Sequence, residues 1–383
     1  MAQIFSGIRV LDLTNNLAGP MATAMMADFG AEVIKVEKPG FGDDSRAWPF
    51  QIDGTSSLFI QCNRGKKSIV LDIKKETDLD ILRKLIKKVD VLVESFKPGV
   101  MSKFNLTYEE VSKLNPTIVM CSISAFGQNG PYRDRPGYDL IAQAMSGVMD
   151  INGDPNGPPL RLGPAVADNT TAYHAFGAIS AALFHKLRTG EGQFIDVSLL
   201  ECMTMQIDCF EIVSAGGNAT RNGNHSNMLT PYGVFGKKTG GMMIAALNPK
   251  LWNILTSLMG KPEFSNDPKF ITVAERNKNQ RELIPIIDEW VDSFENINEL
   301  EQLLMKNNIP CARVRTVKDL MDDPHLNYRG TLTDVDLPYS KSKPKLKIRG
   351  AAIKFSKTPG KVGPAPTLGQ HQEEILRLLS EGE

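Results

Sequence analysis

Residues 8–37 read IRVLDLTNNLAGPMATAMMADFGAEVIKVE, and this stretch decides the fold class. Ile8–Leu13 and Glu32–Glu37 are rich in β-branched residues and predict two strands. Between them, Ala18-Gly19-Pro20 marks a break, Met21–Phe29 consists mainly of helix-forming residues, and the glycine after it ends that helix. A strand, a helix and a strand within about 30 residues form a βαβ unit, which implies parallel strands joined by a right-handed crossover.

The same alternation continues along the first half of the chain. Strands are predicted at Ser68–Leu71, Val89–Val93 and Thr117–Ile123, and helices at Thr77–Lys88 and Tyr108–Leu114. This order predicts a large α/β domain with a doubly wound parallel sheet.

The composition changes after about residue 200. A helix at Leu199–Ser214 and a Gly/Asn-rich loop at Gly216–Asn227 precede a smaller α+β domain. Its predicted strands and helices are Tyr232–Phe235, Met242–Ala246, Leu251–Leu258, Gln280–Phe294 and Ile297–Lys306. Lys341–Pro366 is predicted as a surface connection before a last helix, Gln372–Leu379. We therefore divide the chain into a large domain 1–205, a linker 206–228, a small domain 229–328 and a segment 329–383 that completes the large domain.

The charge balance excludes partners that need a strong overall field. Lys plus Arg and Asp plus Glu both total 44 among 383 residues, so the formal net charge is zero. Neither a nucleic acid nor an anionic membrane is expected as a partner. An acidic ligand must be met by local lysine and arginine side chains.

Cysteine usage indicates a reducing compartment. The five cysteines are scattered and none forms a CxxC pair, which argues against a disulfide framework and a structural zinc site. The N-terminus lacks the apolar run of a signal peptide, and no window approaches the ~18 apolar residues of a membrane span. We expect a cytoplasmic protein.

Several common catalytic and nucleotide-binding patterns are missing. The segment after the first strand, Thr14–Pro20, is not G-x-G-x-x-G, and neither Gly127–Gly130 nor Gly236–Gly241 ends in Gly-Lys-Ser/Thr. There is no G-x-S-x-G nucleophile elbow. The five histidines are far apart and lack carboxylates at ligand spacing. A dinucleotide-dependent dehydrogenase, a P-loop enzyme, a serine hydrolase and a metal site are therefore not expected.

Asp168 is the only acidic residue in Gly163–Thr171, just before a predicted helix at Thr170–Arg188. A carboxylate at this place has two interpretations. It is either a helix cap or a nucleophile, and its own neighbourhood does not decide between them.

Lysines follow successive predicted strands, at the edge where open α/β sheets bind ligands. They are accompanied by two apolar side chains that suit the organic part of an extended ligand, Phe96 and Met101. The lysines suit its phosphates and are Lys38, Lys74, Lys97 and Lys103.

Short motifs in a fixed order run along nearly the whole chain. They are Leu17–Pro20, Gly30–Glu37, Arg64–Ser68, Leu71–Lys74, Phe96–Gly99, Phe126–Tyr132, Pro136–Asp139, the Asp168 segment, Thr189–Gln193, Asn308–Cys311, Asp323–His325 and Pro364–Pro366. In this order and spacing they resemble the class III CoA-transferases, the group of formyl-CoA:oxalate and crotonobetainyl-CoA:carnitine transferases.

The resemblance implies CoA transfer from an acyl-CoA to a free carboxylic acid, with Asp168 as the covalent nucleophile. It implies no permanently bound cofactor and no metal, since a CoA thioester is itself the substrate, and an interlocked homodimer. The residues expected to contact CoA are Leu17, Ala18, Lys38, Leu71, Asp72, Ile73, Lys74, Ser95, Phe96, Lys97, Lys103 and Tyr138. We expect the helix dipole to lower the pKa of Asp168, and backbone N–H groups near Asn169 or in Gly216–Asn227 to hold the oxyanion.

Two other functions remain open. Acyl-CoA racemases share the fold but carry a proton-transferring histidine where this chain has Tyr138, and a phenol with an ordinary pKa of ~10 is a poor base at neutral pH. A non-catalytic CoA-binding protein is the other alternative.

Formyl-CoA transferases have a glutamine in place of Leu17 and a tetraglycine loop in place of Arg221–Asn227. Leu17, Met228 and Leu229 instead favour a larger, less polar acid than oxalate.

Overall fold

The fold comprises thirteen strands and fifteen α-helices in residues 3–238 and 240–380, which the computed structural model describes. The strands are β1 Arg9–Leu13, β2 Glu32–Glu37, β3 Gln51–Ile52, β4 Thr55–Ser56, β5 Lys67–Val70, β6 Val91–Glu94, β7 Val119–Ser124, β8 Phe194–Ser198, β9 Tyr232–Phe235, β10 Met242–Ala245, β11 Cys311–Arg313, β12 Leu332–Asp336 and β13 Lys345–Arg349. The helices are α1 Ala18–Asp28, α2 Ser57–Asn63, α3 Glu76–Ile86, α4 Tyr108–Leu114, α5 Asp139–Ser146, α6 Val166–Thr189, α7 Leu199–Thr204, α8 Phe210–Ser214, α9 Pro249–Leu258, α10 Val273–Lys278, α11 Gln280–Asp292, α12 Ile297–Lys306, α13 Val317–Leu320, α14 Pro324–Tyr328 and α15 Gln372–Ser380.

The principal sheet has six strands in the order β5-β2-β1-β6-β7-β8, and every pair in it is parallel. The predicted doubly wound α/β class is therefore confirmed. The chain first builds outward from β1 on one side and then continues from β6 on the other. The direction of winding thus reverses between β1 and β6, and ligands of open α/β sheets bind at the carboxyl ends of the strands at such a point.

Helices cover both faces of this sheet, so its strands are buried on both sides. All residues of β6 and β7 are buried, as expected for strands covered on both faces, and most of these residues are apolar. On one face α3, α4 and α15 contribute Leu82, Val111 and Ile375 to a core with Leu11 and Leu92. On the other, α1 and α6 pack against each other and against the strands.

Contacts group the residues into two units. The first contains the described residues up to Ser146, Leu162–Ile207 and the described residues from Asp323 onward, and the second contains Gly147–Arg161 and Asp208–Asp322. The outermost residues of the predicted domains, 1–2 and 381–383, and also Thr239, lie outside the described residues.

The second unit has a sheet and a core of its own. Its sheet is antiparallel, in the order β11-β10-β9. Helices α9, α11 and α12 cover the sheet with apolar residues such as Trp252, Ile287 and Leu300. Three-stranded antiparallel pairing with helices on top is the α+β arrangement predicted for the smaller domain.

The unit boundaries differ from the sequence-based division at three places. Residues 208–228, most of the predicted linker, belong to the second unit, and residues 323–328, assigned to the small domain, belong to the first. Residues 147–161, which that division assigned to the large domain, belong to the second unit. Their bonds explain this, since the Gly223 N–H donates to the Gly153 carbonyl at 2.9 Å and Arg221 pairs with Asp150 at 2.9 Å. These contacts join residues about seventy positions apart, which a reading of local sequence does not show.

Two element predictions were wrong. The helix expected at Leu199–Ser214 is two short helices, α7 and α8, separated by turns at Met205–Cys209. The expected surface connection Lys341–Pro366 contains β13, whose polar residues pair with β12. Neither α2 nor α5 was predicted, because each is short and follows a segment rich in Gly, Pro and aromatic residues.

Candidate active site

A cavity of about 650 Å³ lies at the carboxyl ends of β1, β6 and β7 in the first unit. It has the size of a typical small-ligand pocket. Its lining residues are Asn15, Asn16, Leu17, Ala18, Gly19, Trp48, Ser95, Ile123, Ser124, Ala125, Gly137, Tyr138, Asp139, Leu140, Ile141, Ala165, Asp168 and Leu199. Five residues predicted from the sequence therefore meet here: Leu17, Ala18, Ser95, Tyr138 and Asp168.

Asp168 lies in the first turn of α6 rather than in front of it. The helix begins at Val166, four residues before the predicted start, and Ala165 is its N-cap residue. No side chain caps this end of the helix, so the interpretation of Asp168 as a cap is wrong. This helical position places the carboxyl group of Asp168 in the wall of the cavity.

The carboxyl group of Asp168 is half-buried beside a second acid, Asp139. No donor from residues 3–238 or 240–380 makes a hydrogen bond to it, and the contact with Asp139 is made by the Asp168 backbone N–H, which donates to Asp139 Oδ1 at 3.2 Å. Gln143 Nε2 donates to Asp139 Oδ2 at 2.7 Å. Gln143 is itself fixed, since its Oε1 accepts from the Leu162 N–H at 2.9 Å. Asp139 is therefore held in place while Asp168 is left available for chemistry.

Burial raises the pKa of Asp168 to about 7, and the negative charge of Asp139 adds to the effect. The expectation that the helix dipole lowers this pKa is therefore wrong. Desolvation and a nearby like charge both disfavour the ionised form, and they outweigh the dipole, whose effect is typically below 1 kcal/mol.

One expected oxyanion donor is already used by the helix. The backbone N–H of Asn169 donates to the Ala165 carbonyl at 3.0 Å, so the expectation for this group is wrong. The segment Gly216–Asn227, also suggested for this role, lies in the second unit.

Two buried ion pairs anchor the loop that follows β1. Asp12 accepts from the N–H of Thr14 at 2.8 Å and pairs with Lys66 at 2.8 Å. Lys35 pairs with Asp43 at 2.8 Å and donates to the Thr14 carbonyl at 2.9 Å. All four charged side chains are fully buried. These bonds fix the start of the loop that carries Leu17 and Ala18.

Gly19 allows this loop to lie close to its own beginning. A Cβ atom at this position would come within 2.4 Å of the Thr14 side chain, well below any normal contact. The glycine of the Leu17–Pro20 motif is thus required because the Thr14 side chain lies directly against its Cα.

A second cavity, of about 180 Å³, lies beside the first and shares Asn15 with it. Lys38, Leu71, Ile73 and Phe96 line it. Four other predicted contact residues, all within the described ranges, line neither cavity: Asp72, Lys74, Lys97 and Lys103. Their three lysines are exposed on the loops that follow β5 and β6. The strand order places these loops on both sides of β2 and β1.

Most residues of the larger cavity were not given a role from the sequence, and Asn16, Trp48 and Asp139 are three of them. Asp139 belongs to a motif that was recognised, but the helix α5 that brings it under Asp168 was not predicted. Asn16 and Trp48 come from loops, and only the three-dimensional arrangement of those loops brings them to Asp168.

Two further structural findings concern metal ligands and membrane-spanning helices. Within the described residues, no group of three or more His, Cys, Asp and Glu side chains is arranged to hold a metal ion. None of the helices described in residues 3–238 and 240–380 is both long and apolar enough for a membrane span.

Comparison with protein families identifies the chain over almost its whole length. The family model described as CoA-transferase family III matches residues 5–372. Among curated proteins, the chain is 37% identical to succinyl-CoA:glutarate CoA-transferase from Mus musculus, over 97% of this chain and 85% of the relative. It is also 37% identical to succinyl-CoA:mesaconate CoA-transferase from Haloarcula hispanica, over 96% of this chain and 94% of the relative.

Solved structures agree with the family match. A CAIB/BAIF family protein from Brucella suis superposes with a TM-score of 0.87 at 33% identity, covering 99% of this chain and all of the other. A hypothetical protein from Mycobacterium tuberculosis gives a TM-score of 0.85 at 29% identity, with 98% and 99% covered. The chain therefore belongs to CoA-transferase family III and is a CoA-transferase.

Proposed function

We propose that Asp168 carries the acyl and CoA groups covalently during transfer. Its carboxylate oxygen bonds to the acyl carbonyl carbon of the donor, the C–S bond breaks, and the electron pair leaves with CoA as thiolate. The thiolate then attacks the aspartyl carbonyl of the mixed anhydride and releases the donor acid as a carboxylate. The product is an aspartyl-CoA thioester.

The second half-reaction runs these steps in the reverse order with another acid. The acceptor carboxylate attacks the aspartyl thioester and expels the CoA thiolate, which leaves an aspartyl anhydride of the acceptor. The thiolate attacks the acceptor carbonyl and releases the Asp168 carboxylate with the new acyl-CoA. Atoms and charges balance without an oxidant, a reductant or a metal ion.

The observation that carries this proposal is the state of the Asp168 carboxyl group. It lines a cavity large enough for an acyl group and part of CoA, and its raised pKa, about 7, makes the carboxylate more basic than an exposed one. A more basic carboxylate is a better nucleophile, while a substantial fraction is still ionised at neutral pH. A capping or ion-paired aspartate has the opposite properties.

We assign the two neighbouring cavities to different parts of the substrate. The larger one, with Leu17, Ala18 and Tyr138, takes the acyl group and the thioester. The smaller one, with Lys38, Leu71, Ile73 and Phe96, takes part of CoA. The exposed lysines 74, 97 and 103 and Asp72 lie on the loops around it, where lysines would meet phosphates.

Trapping the intermediate tests the role of Asp168. Mass spectrometry of the protein mixed with acyl-CoA should show a CoA adduct on the peptide that contains Asp168, and hydroxylamine should convert it to a hydroxamate. Asp168→Ala should lose the adduct and all turnover but keep CoA binding, and Asp322→Ala, at an exposed carboxyl, should behave as wild type. Turnover in Asp168→Ala would refute the mechanism. Exchange of the substrate α-proton in D2O without transfer would instead indicate a racemase.

For the substrates, we infer a succinyl-CoA donor and a short dicarboxylic acid as acceptor. The named relatives act on succinyl-CoA with glutarate or mesaconate. The cavity offers apolar walls from Leu17, Leu140 and Ile141 and neutral polar groups from Asn15, Asn16 and Trp48.

A panel of acceptors tests this assignment. With succinyl-CoA as donor, glutarate and mesaconate should be used at least about tenfold better, as kcat/KM, than oxalate or branched and aryl monocarboxylic acids, a preference of roughly 1.4 kcal/mol. Faster transfer to the branched or aryl acids would favour the less polar acceptor expected from Leu17. A preference for oxalate would contradict both.

We also propose a homodimer and a cytoplasmic location. Helix α6 exposes an apolar stripe with Tyr173, Phe184 and Leu187, which are 52%, 62% and 79% exposed. Such a stripe suits a second copy of the chain. All five cysteines are free thiols, which suits a reducing compartment. Light scattering should show a dimer for wild type and for Lys87→Glu, and a monomer for Phe184→Glu. A wild-type monomer would refute the dimer.

A further inference from the structure

We propose that Asn16 is a further catalytic residue, whose side-chain NH2 group donates a hydrogen bond to the carbonyl oxygen of the acyl group that Asp168 attacks. The inference rests on the proposed role of Asp168. It concerns a different step, the stabilisation of the charge that develops on the substrate oxygen.

The first observation is that the Asn16 side-chain amide makes no hydrogen bond to any residue that the structure describes. Asn16 lines the cavity that contains Asp168. Its Oδ1 is buried and lacks a hydrogen-bond partner among the described residues. With its oxygen turned into the protein, the amide leaves its NH2 end for the cavity. A buried polar atom without a partner costs roughly 1–3 kcal/mol, so such atoms call for a functional explanation.

The second observation is the backbone of Asn16, which is left-handed with φ = 68°. This conformation is unfavourable for most residues other than glycine, and asparagine is among the few that tolerate it as single residues. Here the Asn16 N–H donates to Asp43 Oδ1 at 3.2 Å. Asp43 is in turn paired with Lys35 at 2.8 Å, and both side chains are fully buried.

Asn15 holds the loop from the other side. Its backbone N–H donates to the Ser95 hydroxyl at 3.0 Å, and its Oδ1 accepts from the Asp44 N–H at 2.9 Å. Asn16 is thus held by its own N–H bond to Asp43 and by the bonds that fix the preceding residue, Asn15. A donor fixed in advance stabilises a developing charge without having to reorganise during the reaction.

Other residues with the same backbone conformation make clear why Asn16 is special. Asp53 has φ = 45°, but its carboxylate is used by the protein, where it accepts from Ser340, Lys341 and Ser342 at 2.8–3.0 Å. Asn308 has φ = 57° and is exposed. Within the described residues, backbone strain and an unpaired buried amide oxygen coincide at Asn16 alone, and they do so in the Asp168 cavity.

The chemistry of the proposed reaction needs such a donor. When the Asp168 oxygen bonds to the acyl carbon, the carbonyl electron pair moves to the substrate oxygen and leaves a negative charge there. The Asn169 backbone N–H is already bonded within α6. An amide NH2 from the opposite loop is neutral, so it stabilises the oxyanion without lowering the basicity of Asp168 through a positive charge.

Two substitutions of Asn16 test the proposal. Asn16→Gly keeps the left-handed backbone but removes the amide, and Asn16→Asp keeps the shape but replaces the neutral donor by an anionic acceptor. In single-turnover experiments with acyl-CoA, both should form the Asp168–CoA adduct on the order of 100-fold more slowly, the usual loss for one oxyanion donor. The Kd for CoA should change less than about threefold, since the lost contact is made mainly in the transition state.

Asn308→Gly is the matched control, since it makes the same change at a left-handed asparagine in the second unit. It should label at the wild-type rate. If Asn16→Gly also labels at the wild-type rate, the role of Asn16 is conformational and the proposal is refuted. If Asn16→Gly does not fold, Asn16→Asp decides in the same way. A wild-type protein that forms no adduct would instead refute the role of Asp168.

Discussion

Asp139 contributes to the raised pKa of Asp168 and also accepts a hydrogen bond from its backbone. The backbone N–H of Asp168 donates to one oxygen of Asp139, and Gln143 donates to the other. The charge on Asp139 adds to the effect of burial and raises the pKa of Asp168. The basicity of the proposed nucleophile therefore comes first from its burial and second from Asp139, the last residue of the Pro136–Asp139 motif and the first of α5.

Replacing Asp139 by asparagine should move the pH dependence of adduct formation. The variant removes a negative charge, so the pKa of Asp168 should fall, and the acidic limb of the rate–pH profile should shift to lower pH from its wild-type midpoint near 7. Loss of the Gln143 bond should cost about 1 kcal/mol of folding free energy. Single-turnover rates between pH 5 and 9 measure the shift. An unchanged midpoint would mean that Asp139 does not act on the ionisation.

Asp168 should itself destabilise the folded protein at neutral and alkaline pH. Its pKa in the folded protein is about 7, above the ordinary value of 3.8. The folded state therefore binds the proton more tightly than the unfolded state. Stability from this group is fully present below about pH 4, falls as the pH rises towards 7, and stays low above it.

Asp168→Asn should therefore stabilise the protein at pH 8 by about 2 kcal/mol, a value reduced from the full shift because the side chain is only half-buried. At pH 4 the two proteins should unfold in urea within about 0.5 kcal/mol of each other. Asp322→Asn, at an exposed position, should show no difference at either pH. Equal stability of wild type and Asp168→Asn at pH 8 would contradict the raised pKa.

At the scale of elements, two adjacent lysines have very different surroundings: Lys66, just before β5, and Lys67, its first residue. Lys66 is fully buried and pairs with Asp12 of β1 at 2.8 Å, and it also donates to Asn63 of α2 and to the Pro20 carbonyl of α1. Lys67 is 31% exposed and pairs with Glu32 and Glu374. Lys66 thus joins three elements beneath the active-site loop.

Lys66→Met should destabilise the protein by about 3–5 kcal/mol, because it leaves the buried carboxylate of Asp12 without its partner. Lys67→Met should cost less than about 1 kcal/mol, since its ion pairs are partly exposed to solvent. Urea unfolding of both variants at pH 7 measures the difference. Similar losses in the two variants would show that the buried pair is not special.

The sequence predicted best those elements that local patterns determine. β2, α4, β9 and α12 were predicted with their exact bounds, because their alternating or helical apolar patterns agree with their final burial. The break between α7 and α8, the strand β13 and the membership of residues 147–161 depend on partners distant in the chain. No local pattern reports such partners.

The site was predictable to the same extent. Family motifs pointed to Asp168, Leu17, Ala18 and Tyr138, and these do line one cavity. The sign of the Asp168 pKa shift was not predictable, because desolvation depends on what surrounds the carboxyl group. Asn16 carries no sequence signal of its own, since its strain and unpaired amide exist only in the folded loop.

At the scale of the whole molecule, each unit has its own core. In the first, Leu82 is fully buried among residues of α3, α4, α15 and the parallel sheet. In the second, Leu300 is fully buried with residues of α9, α11 and the antiparallel sheet. Because neither core needs residues of the other, each unit should open with a free energy of its own.

Matched core deletions should separate these openings. Leu300→Ala removes buried methyl groups and should cost about 2–5 kcal/mol, which accelerates hydrogen exchange by about 30-fold or more in peptides from α9 and α11. Peptides from β6 and β7 should keep their wild-type exchange rates. Leu82→Ala should do the reverse, with faster exchange in β6 and β7 and unchanged rates in α9 and α11. If either substitution accelerates exchange equally in both units, the chain opens as one cooperative unit and the division into independent cores is wrong.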